Sequence, residues 1–315
     1  MKKYRYATLA ALFALASTVI VSCNRKDDLQ SPENPRTEVK FSSNIIKMDT
    51  HTRASGSAWD AADAIGVYMF AENEAVAVEN KRNVEYVTES GGETGQFKAK
   101  STEIYFPDNG DKVRFMGYYP YQSSVPAEVY AVNVSDQSSQ PSIDLLYSFD
   151  ADAKYDKKTP DKKVPLVFDH QLTKIYVNVK AGEGLSADAL QTISVSFLGM
   201  NTQANFSLVN GTLSGQTAPA EITARPLFAK DGFAASFEAI VLPAQETSGA
   251  QIKFDLQNGD TETDVQSDVY IWSFIHALDK STKYTYNVTI NRTGIVVEAT
   301  INDWTATDEQ DVSAE

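Results

Sequence analysis

Residues that commonly carry catalysis or bind metals are few in this chain of 315 residues, and they form no known constellation. The three histidines, His51, His170 and His276, are scattered singly, which argues against a histidine-based metal site and leaves few general bases. Asp169 could orient the imidazole of His170, but no serine nucleophile accompanies the pair, and an isolated histidine of this kind is usually structural. The phosphate-loop, Cys-X-X-Cys, His-Glu-X-X-His and Gly-X-Ser-X-Gly patterns are all missing. We therefore expect no catalytic residues, no cofactor and no enzyme activity.

One cluster of acidic residues has the oxygen ligands of a possible metal site. Oxygen ligands gathered around the pair Asn258-Gly259 could hold Ca²⁺, but their spacing misses the EF-hand pattern. The four residues are Asp255, Asp260, Glu262 and Asp264. A solvated hairpin tip explains them better, so we predict no metal site.

The overall charge limits the kinds of partner that the chain can bind. Lys and Arg number 28 against 42 Asp and Glu, a formal net charge of -14. Phosphates repel so acidic a chain, which excludes general binding of nucleic acid. Hydrophobic residues make up 42% and charged residues 22%, which is ordinary for a folded protein.

The N-terminus has the pattern of an export signal. Basic residues at Lys2, Lys3 and Arg5 precede an apolar run from Ala7 to Val21, which is shorter than the ~20 residues of a spanning helix. The run ends at Cys23, the only cysteine, and Ile20-Val21-Ser22-Cys23 resembles the lipobox of bacterial lipoproteins. We predict a lipoprotein signal peptide over residues 1–22, lipidation of Cys23 and a lipid anchor in the outer membrane. The alternative is an ordinary signal peptide with an incidental cysteine.

Residues 23–36 are polar and contain prolines, so they cannot build a core and are predicted to form a flexible tether. The acids in Lys26-Asp27-Asp28 resemble a surface-export signal of Bacteroidetes lipoproteins, although a plain solvated tether explains them equally well.

The remainder alternates apolar and polar residues with the period of β-strands. Such runs include Val39/Phe41/Ile45, Ile65/Val67/Met69, Ile175/Val177/Val179, Ile193/Val195/Phe197 and Tyr284/Tyr286/Val288/Ile290. Asn109-Gly110, Asn210-Gly211 and Asn258-Gly259 suit the tight turns of antiparallel hairpins. Helical periodicity is scarce, so the pattern predicts an all-β protein built from antiparallel β-sandwiches.

A charged stretch divides the patterned chain. Nine of the fourteen residues 150–163 are charged, which indicates a long loop or an interdomain linker. We place an N-terminal β-sandwich over residues 37–163 and a C-terminal β-sandwich over residues 164–315, each long enough for its own core.

Several segments in order resemble the fimbrillin-like proteins of the Bacteroidales, the Mfa/Fim-type subunits of lipoprotein-derived pili. The matching segments are Val39–Ser43, Thr52–Ala54, Trp59-Asp60, Asp63–Met69, Tyr118–Tyr121, Asp144–Tyr147, Phe168–Ile175, Ile240–Pro243, Tyr284–Thr289, Gly294-Ile295 and Ile301–Trp304. The resemblance implies two tandem transthyretin-like sandwiches. It also implies assembly at the cell surface, in which an arginine-specific protease removes the first strand and a strand of a neighbouring pilus subunit takes its place.

The residues permit that mechanism. Val39, Phe41 and Ile45 would form the inward face of a removable first strand, whose loss would open an apolar groove and unpaired strand edges. Arg53 follows in a polar, glycine-containing stretch that suits a cleavable loop. Arg36 competes as the cleavage site, but a cut there would leave the first strand attached.

For the donor strand, the sequence leaves two alternatives open. Ile295, Val297, Ala299 and Ile301 alternate as a donor requires, but they could equally form a permanent strand of the second sandwich. The acidic tail after Trp304 has Val312 as its only large apolar residue, which favours an accessory, tip or non-polymerising member over a shaft subunit.

The sequence thus favours a structural subunit of a surface fimbria that assembles by strand exchange and mediates adhesion to a host or bacterial surface. The alternative is a surface glycan-binding lipoprotein with tandem β-sandwiches. It would need an exposed aromatic platform, for which Tyr118-Tyr119-Pro120-Tyr121 is the only obvious candidate.

Overall fold

In a computed structural model, the structure of the chain is described for residues 36–45, 58–243, 249–256, 268–273 and 277–303. The first half contains the strands β1 (Lys40–Ile45), β2 (Ala64–Ala71), β3 (Val84–Thr88), β4 (Thr94–Ala99), β5 (Val113–Tyr119), β6 (Val129–Asn133), β7 (Leu146–Phe149) and β8 (Lys163–His170). The second half contains β9 (Thr173–Ala181), β10 (Ile193–Ser207), β11 (Thr212–Thr223), β12 (Arg225–Leu227), β13 (Ala235–Val241), β14 (Gln251–Leu256), β15 (Asp268–Ser273), β16 (Thr282–Asn291) and β17 (Gly294–Asp303).

Helix is confined to short pieces in the described residues. The α-helix α1 spans only Gln140–Ile143, and single 3₁₀ turns occur at Pro126–Glu128, Pro160–Lys162 and Asp188–Leu190. The all-β prediction is confirmed.

Seven strands form a sheet that closes on itself in the order β1-β4-β3-β2-β5-β7-β8, with β1 joining its two ends. Aromatic and branched side chains fill its interior, the first core, among them Phe41, Trp59, Tyr86, Phe115 and Phe168. The first core therefore depends on β1 for one of its walls.

Two further sheets pack over the second core. One has the order β11-β10-β14-β15, with β6 also pairing with β10, and the other has the order β12-β13-β9-β16-β17. Val195 and Phe254 of the first of these meet Val177, Tyr286 and Val288 of the other in one cluster. This is the face-to-face packing of a β-sandwich.

Some strands bury both faces. In β2, Ile65, Val67 and Met69 point into the first core, whereas Tyr68 and Phe70 pack in the second. The near-continuous burial of β2 follows because this strand forms a wall between the two cores.

The predicted division of the chain at 163/164 is wrong in the structure. Strand β8 pairs with β1 and β7 and so belongs to the first sheet, whereas β6 leaves that half and pairs with β10. The charged stretch is a loop of the first sheet, held by a bridge between Tyr155 and Val113. Charge marked solvent exposure there, because a loop between strands of one sheet must face water just as a linker does.

Two strand pairs also differ from the antiparallel expectation. β1 runs parallel to β8, and β9 runs parallel to β16. Such neighbours lie far apart in sequence, since parallel strands need long crossover connections and leave no hairpin signal. The Asn210-Gly211 pair does connect antiparallel neighbours, β10 and β11, with Gly211 at φ 67°.

Candidate functional site

The first strand lies in a gap between two strands from distant parts of the chain. On one side β1 pairs antiparallel with β4, and on the other it pairs parallel with β8 along all six residues. The preceding residues extend the pairing, since Val39 N–H donates to the Ile104 carbonyl at 2.9 Å and Phe106 N–H donates to the Thr37 carbonyl at 2.9 Å. We call the space that β1 fills the β1 gap.

The three inward residues predicted for this strand are buried in the first core. Val39 and Phe41 are each 1% exposed and Ile45 is 5% exposed. The Phe41 ring packs edge-on against Tyr86, with the ring centroids 4.9 Å apart, and against Phe115 at 5.1 Å. Alternation alone located this face, because successive side chains of a strand point to opposite sides.

A fourth inward residue, Ser43, escaped the sequence analysis. It is 2% exposed and lies opposite Gly95 in β4 and Leu166 in β8. Its position, an even number of residues from Phe41 and Ile45, was the available signal, but a serine does not extend an apolar pattern. Among the described residues, neither its buried oxygen nor the buried indole nitrogen of Trp59 nearby has a hydrogen-bond partner.

Several predicted site residues lie outside the described residues. These are Cys23, the tether up to Pro35, and Arg53. Arg36 is described and exposed, and its guanidinium carbon lies 4.8 Å from the centroid of the Tyr105 ring. Of the two candidate cleavage sites, the structure thus describes Arg36 alone.

The candidate donor residues occupy β17, which is the outermost strand of its sheet among the described residues. β17 pairs with β16 over its ten residues, in register from Gly294 opposite Asn291 to Asp303 opposite Thr282. Ile295, Val297 and Ala299 pack partly against the second core, whereas Ile301 is 56% exposed. In the folded subunit the strand is thus paired on one edge and incompletely buried.

The tyrosines proposed as a glycan platform do not form an exposed surface. Tyr118 is fully buried in the second core, and its hydroxyl donates to Asn83 Oδ1 at 2.7 Å. Tyr119 is 9% exposed, and its hydroxyl donates to Asp63 Oδ1 at 3.1 Å. Burial also raises the pKa of the Asp63 carboxyl, against the lowering effect of the hydrogen bonds that it accepts from the Asp60 N–H and the Tyr119 hydroxyl. This segment packs on the protein's own cores, so the observation that would favour glycan binding is missing from it.

His170 serves the fold. Its side chain is 1% exposed, and Nδ1 lies 2.9 Å from Oδ1 of Asp144, a residue distant in the sequence. Its backbone carbonyl accepts a hydrogen bond from the Ser281 hydroxyl. The pair joins the end of β8 to the segment after α1, a structural role that the sequence analysis favoured.

Among the described residues, no three His, Cys, Asp or Glu side chains are arranged to hold a metal ion. Of the acidic cluster around Asn258-Gly259, only Asp255 falls in the described ranges. No helix within those ranges is long and apolar enough to cross a membrane.

A buried ion network lies in the second sandwich. Lys174 Nζ is 2.7 Å from Oε2 of Glu238, and Arg225 Nη1 is 2.8 Å from Oε1 of the same carboxylate. Lys174 and Glu238 are 0% and 2% exposed, so their pairing satisfies charges that burial would otherwise penalise heavily. Alternation gave no warning of it, because Lys174 lies on the face of β9 opposite to Ile175, Val177 and Val179, which pack in the second core.

These features define an all-β structural protein whose first strand is buried between strands of its own first sheet. The chain belongs to the fimbrillin-like family, whose model matches residues 52–304. Membership of this family implies a cell-surface location and association with other pilus subunits. It also confirms the prediction that the chain is a structural protein and not an enzyme.

Individual relatives agree with this assignment. A Bacteroides uniformis protein provisionally named fimbrium subunit Fim1C is 32% identical over 303 residues, covering 94% of this chain and 95% of that protein. The crystal structure of a provisionally named cell adhesion protein from the same species superposes with a TM-score of 0.70 at 30% identity, covering 87% of this chain and all of that one. A fimbrial protein from Bacteroides vulgatus shares the fold, with a TM-score of 0.54 at 16% identity, over 84% of this chain and 99% of the other.

Proposed function

We propose that this chain is a subunit of a lipoprotein-derived surface fimbria that joins its neighbours by strand exchange at the β1 gap. In the proposed sequence of events, Cys23 carries the lipid that holds the precursor in the outer membrane. An arginine-specific protease then cuts after Arg53 and releases β1. A strand of another pilus subunit fills the gap between β4 and β8, and the assembled fimbria mediates adhesion.

The position of β1 is the observation that carries this proposal. The strand is the first element of the described chain, so a single cut in the segment between β1 and β2 would separate it from the rest. Removing β1 would uncover the first core and leave β4 and β8 each with an unpaired edge. Unpaired edges beside an apolar groove invite strand addition.

The energetics favour precursor folding before cleavage. Burying Val39, Phe41 and Ile45 is worth about 5–8 kcal/mol. A precursor that holds its own first strand is thereby protected from premature assembly. The same groove, once emptied, supplies a comparable driving force for a strand of similar pattern.

The proposal is tested on soluble protein that begins at Asn24. The protein is treated with an arginine-specific protease, and intact mass and oligomer size are read together. We expect a cut after Arg53, loss of the fragment that carries β1, and growth of multimers. An Arg53→Ala variant should retain β1 and stay monomeric even if the protease trims the tether at Arg25 or Arg36, whereas an Arg36→Ala variant should behave as the wild type.

Two other results have defined meanings. A cut after Arg53 without multimers would assign the chain to a tip, anchor or helper-dependent position in the fimbria. Retention of β1 in a protein that stays monomeric would count against activation by cleavage.

A further inference from the structure

The β1 gap contains one position that accepts only a small side chain, which we call the Gly95 subsite. It is occupied by Ser43 and bordered by Gly95, Trp59 and Phe97. A Cβ atom added to Gly95 would lie 2.6 Å from the Phe97 ring, 2.9 Å from Ser43 Oγ and 2.9 Å from Trp59 Cδ1. The space above Gly95 is therefore already full with serine in place, and a large side chain cannot enter without displacing rings.

The neighbouring positions of the gap accept large side chains. Phe41 lies two residues before Ser43 and packs against Tyr86 and Phe115. Ile45 lies two residues after it, opposite Phe168 of β8. Along its inward face β1 thus reads large, large, small, large, over Val39, Phe41, Ser43 and Ile45.

The hydroxyl of Ser43 is poorly suited to this subsite. Its oxygen is buried and bonds no residue that the structure describes, and the same holds for Nε1 of the Trp59 indole, whose Cδ1 borders the subsite. A buried polar group without a partner destabilises the arrangement that buries it. Alanine would fill the same space without that penalty.

The apolar face of β17 repeats the same pattern. Its alternate residues Ile295, Val297, Ala299 and Ile301 read large, large, small, large. Only one register places the small residue above Gly95, because a shift by two would bring Val297 or Ile301 there. A shift by one would turn the apolar face outward.

We propose that Ala299 enters the Gly95 subsite of a neighbouring copy when β17 replaces β1, so that this subsite sets the register of strand exchange. The inference rests on the proposed function and names the partner segment as β17 of a second copy. In this register β17 runs in the direction of β1, parallel to β8. Thr300 then lies where Asn44 lies, opposite Thr94 of β4.

At the position of Phe41, the donor strand would supply a side chain smaller than the one it replaces. Val297 would take the place of Phe41, whose ring fills the space between Tyr86 and Phe115. Valine is smaller and leaves part of that space empty. The same aromatic substitution should therefore have opposite effects at two alternate residues of the donor, improving the fit at Val297 and destroying it at Ala299.

The experiment uses the chain from Asn24 with a recognition site for a sequence-specific protease inserted between residues 46 and 57. Cleavage at this site opens the gap without depending on Arg53. Labelled peptides spanning Arg36–Ile45 and Gly294–Asp303 are the probes, and binding to the nicked protein is measured after the β1 fragment has been removed. Rebinding of the Arg36–Ile45 peptide shows that the gap is intact.

We expect the Val297→Phe peptide to bind roughly tenfold or more tightly than the unmodified Gly294–Asp303 peptide, since filling an apolar space discriminates by at least that factor. We expect Ala299→Phe to weaken binding by at least a similar factor, because overpacking forces rings apart. Val296→Phe, on the opposite face, is the control and should change affinity little. With Thr94→Cys in the nicked protein, a Thr300→Cys peptide should form a disulfide, whereas a Glu298→Cys peptide should not.

Equal or reversed effects of the two aromatic substitutions would overturn the register while leaving strand exchange in place. Failure of the unmodified Gly294–Asp303 peptide to bind an intact gap would overturn β17 as the donor. Cleavage that never releases the β1 fragment would instead count against the proposed function itself.

Discussion

Gln137 binds both backbone groups of Ile240 through its side-chain amide. Its Nε2 donates to the Ile240 carbonyl at 2.8 Å, and the Ile240 N–H donates to its Oε1 at 2.8 Å. Ile240 lies in β13 beyond the three residues that pair with β12. The amide therefore covers the edge of β13 as one residue of a neighbouring strand would.

Removing this amide should destabilise the second sandwich. Gln137→Ala leaves the Ile240 N–H and carbonyl without this partner, and it removes the nearer of two acceptors of Gln140 Nε2, the side-chain oxygen at 2.9 Å, while the backbone carbonyl at 3.3 Å remains. With an unpaired buried group costing ~1–3 kcal/mol, we expect a loss on the order of 3 kcal/mol in urea unfolding. Gln216→Ala is the control, since its half-buried amide makes one bond, to the Pro243 carbonyl, and should cost under about 1 kcal/mol. Equal losses for the two variants would contradict the edge-covering role.

Phe41 should dominate the retention of the first strand. Phe41→Ala removes a ring that is 1% exposed and contacts two other rings, so we expect a loss of about 3–5 kcal/mol in the free energy of unfolding of the uncut chain. Phe228→Ala is a matched control, because that ring is fully exposed and its removal should change stability by less than about 0.5 kcal/mol. A small effect of Phe41→Ala would show that the β1 gap can collapse around a missing ring.

Replacing Glu238 should destabilise the protein more than replacing Lys174, its partner in the buried ion pair. Glu238→Leu leaves the Lys174 ammonium buried without its carboxylate, which should cost about 3–5 kcal/mol. Lys174→Met should cost less, because Arg225 still neutralises Glu238. The double variant should be more stable than Glu238→Leu alone, since Arg225 is partly exposed and can be solvated. A double variant less stable than either single variant would refute this account.

Alkaline pH should unfold the protein through its buried tyrosines. Burial raises the pKa of Tyr68 and of Tyr130 to about 12, whereas an unfolded phenol ionises near ~10. Above that value the unfolded chain binds fewer protons than the folded one, so stability falls as pH rises. The contribution of these groups is fully present below about pH 10 and is lost towards pH 12.

Two measurements check the alkaline prediction. Absorbance of tyrosinate in the folded protein should rise later than in the denatured chain, and Tyr68→Phe should reduce the decline of stability between pH 10 and 12. Complete ionisation of the folded protein near pH 10 would contradict the burial-driven shift.

The sequence predicted the class of fold and the inward face of the first strand, because both depend on local alternation. A period of two over a few residues forces one face of a strand inward wherever a core exists, so the burial of Val39, Phe41 and Ile45 followed. The Asn210-Gly211 turn was equally local, since positive φ is a property of one or two residues.

Polar residues at buried positions could not be predicted in the same way. Ser43, Lys174 and Gln137 belong to residue types that are mostly exposed in folded proteins. Lys174 and Gln137 are buried beside partners from distant segments, Glu238 and Ile240 respectively. Ser43 is buried where no described residue bonds its hydroxyl.

By itself the sequence determined that the chain forms strands, which faces of them are apolar, and where turns are tight. Only the tertiary structure decided which strands are neighbours. It placed β8 beside β1, sent β6 to pair with β10, and ran β9 parallel to β16. Backbone preferences act within a few residues, whereas the pairing of strands a hundred residues apart is selected by how the side chains of all the sheets fill the two cores together.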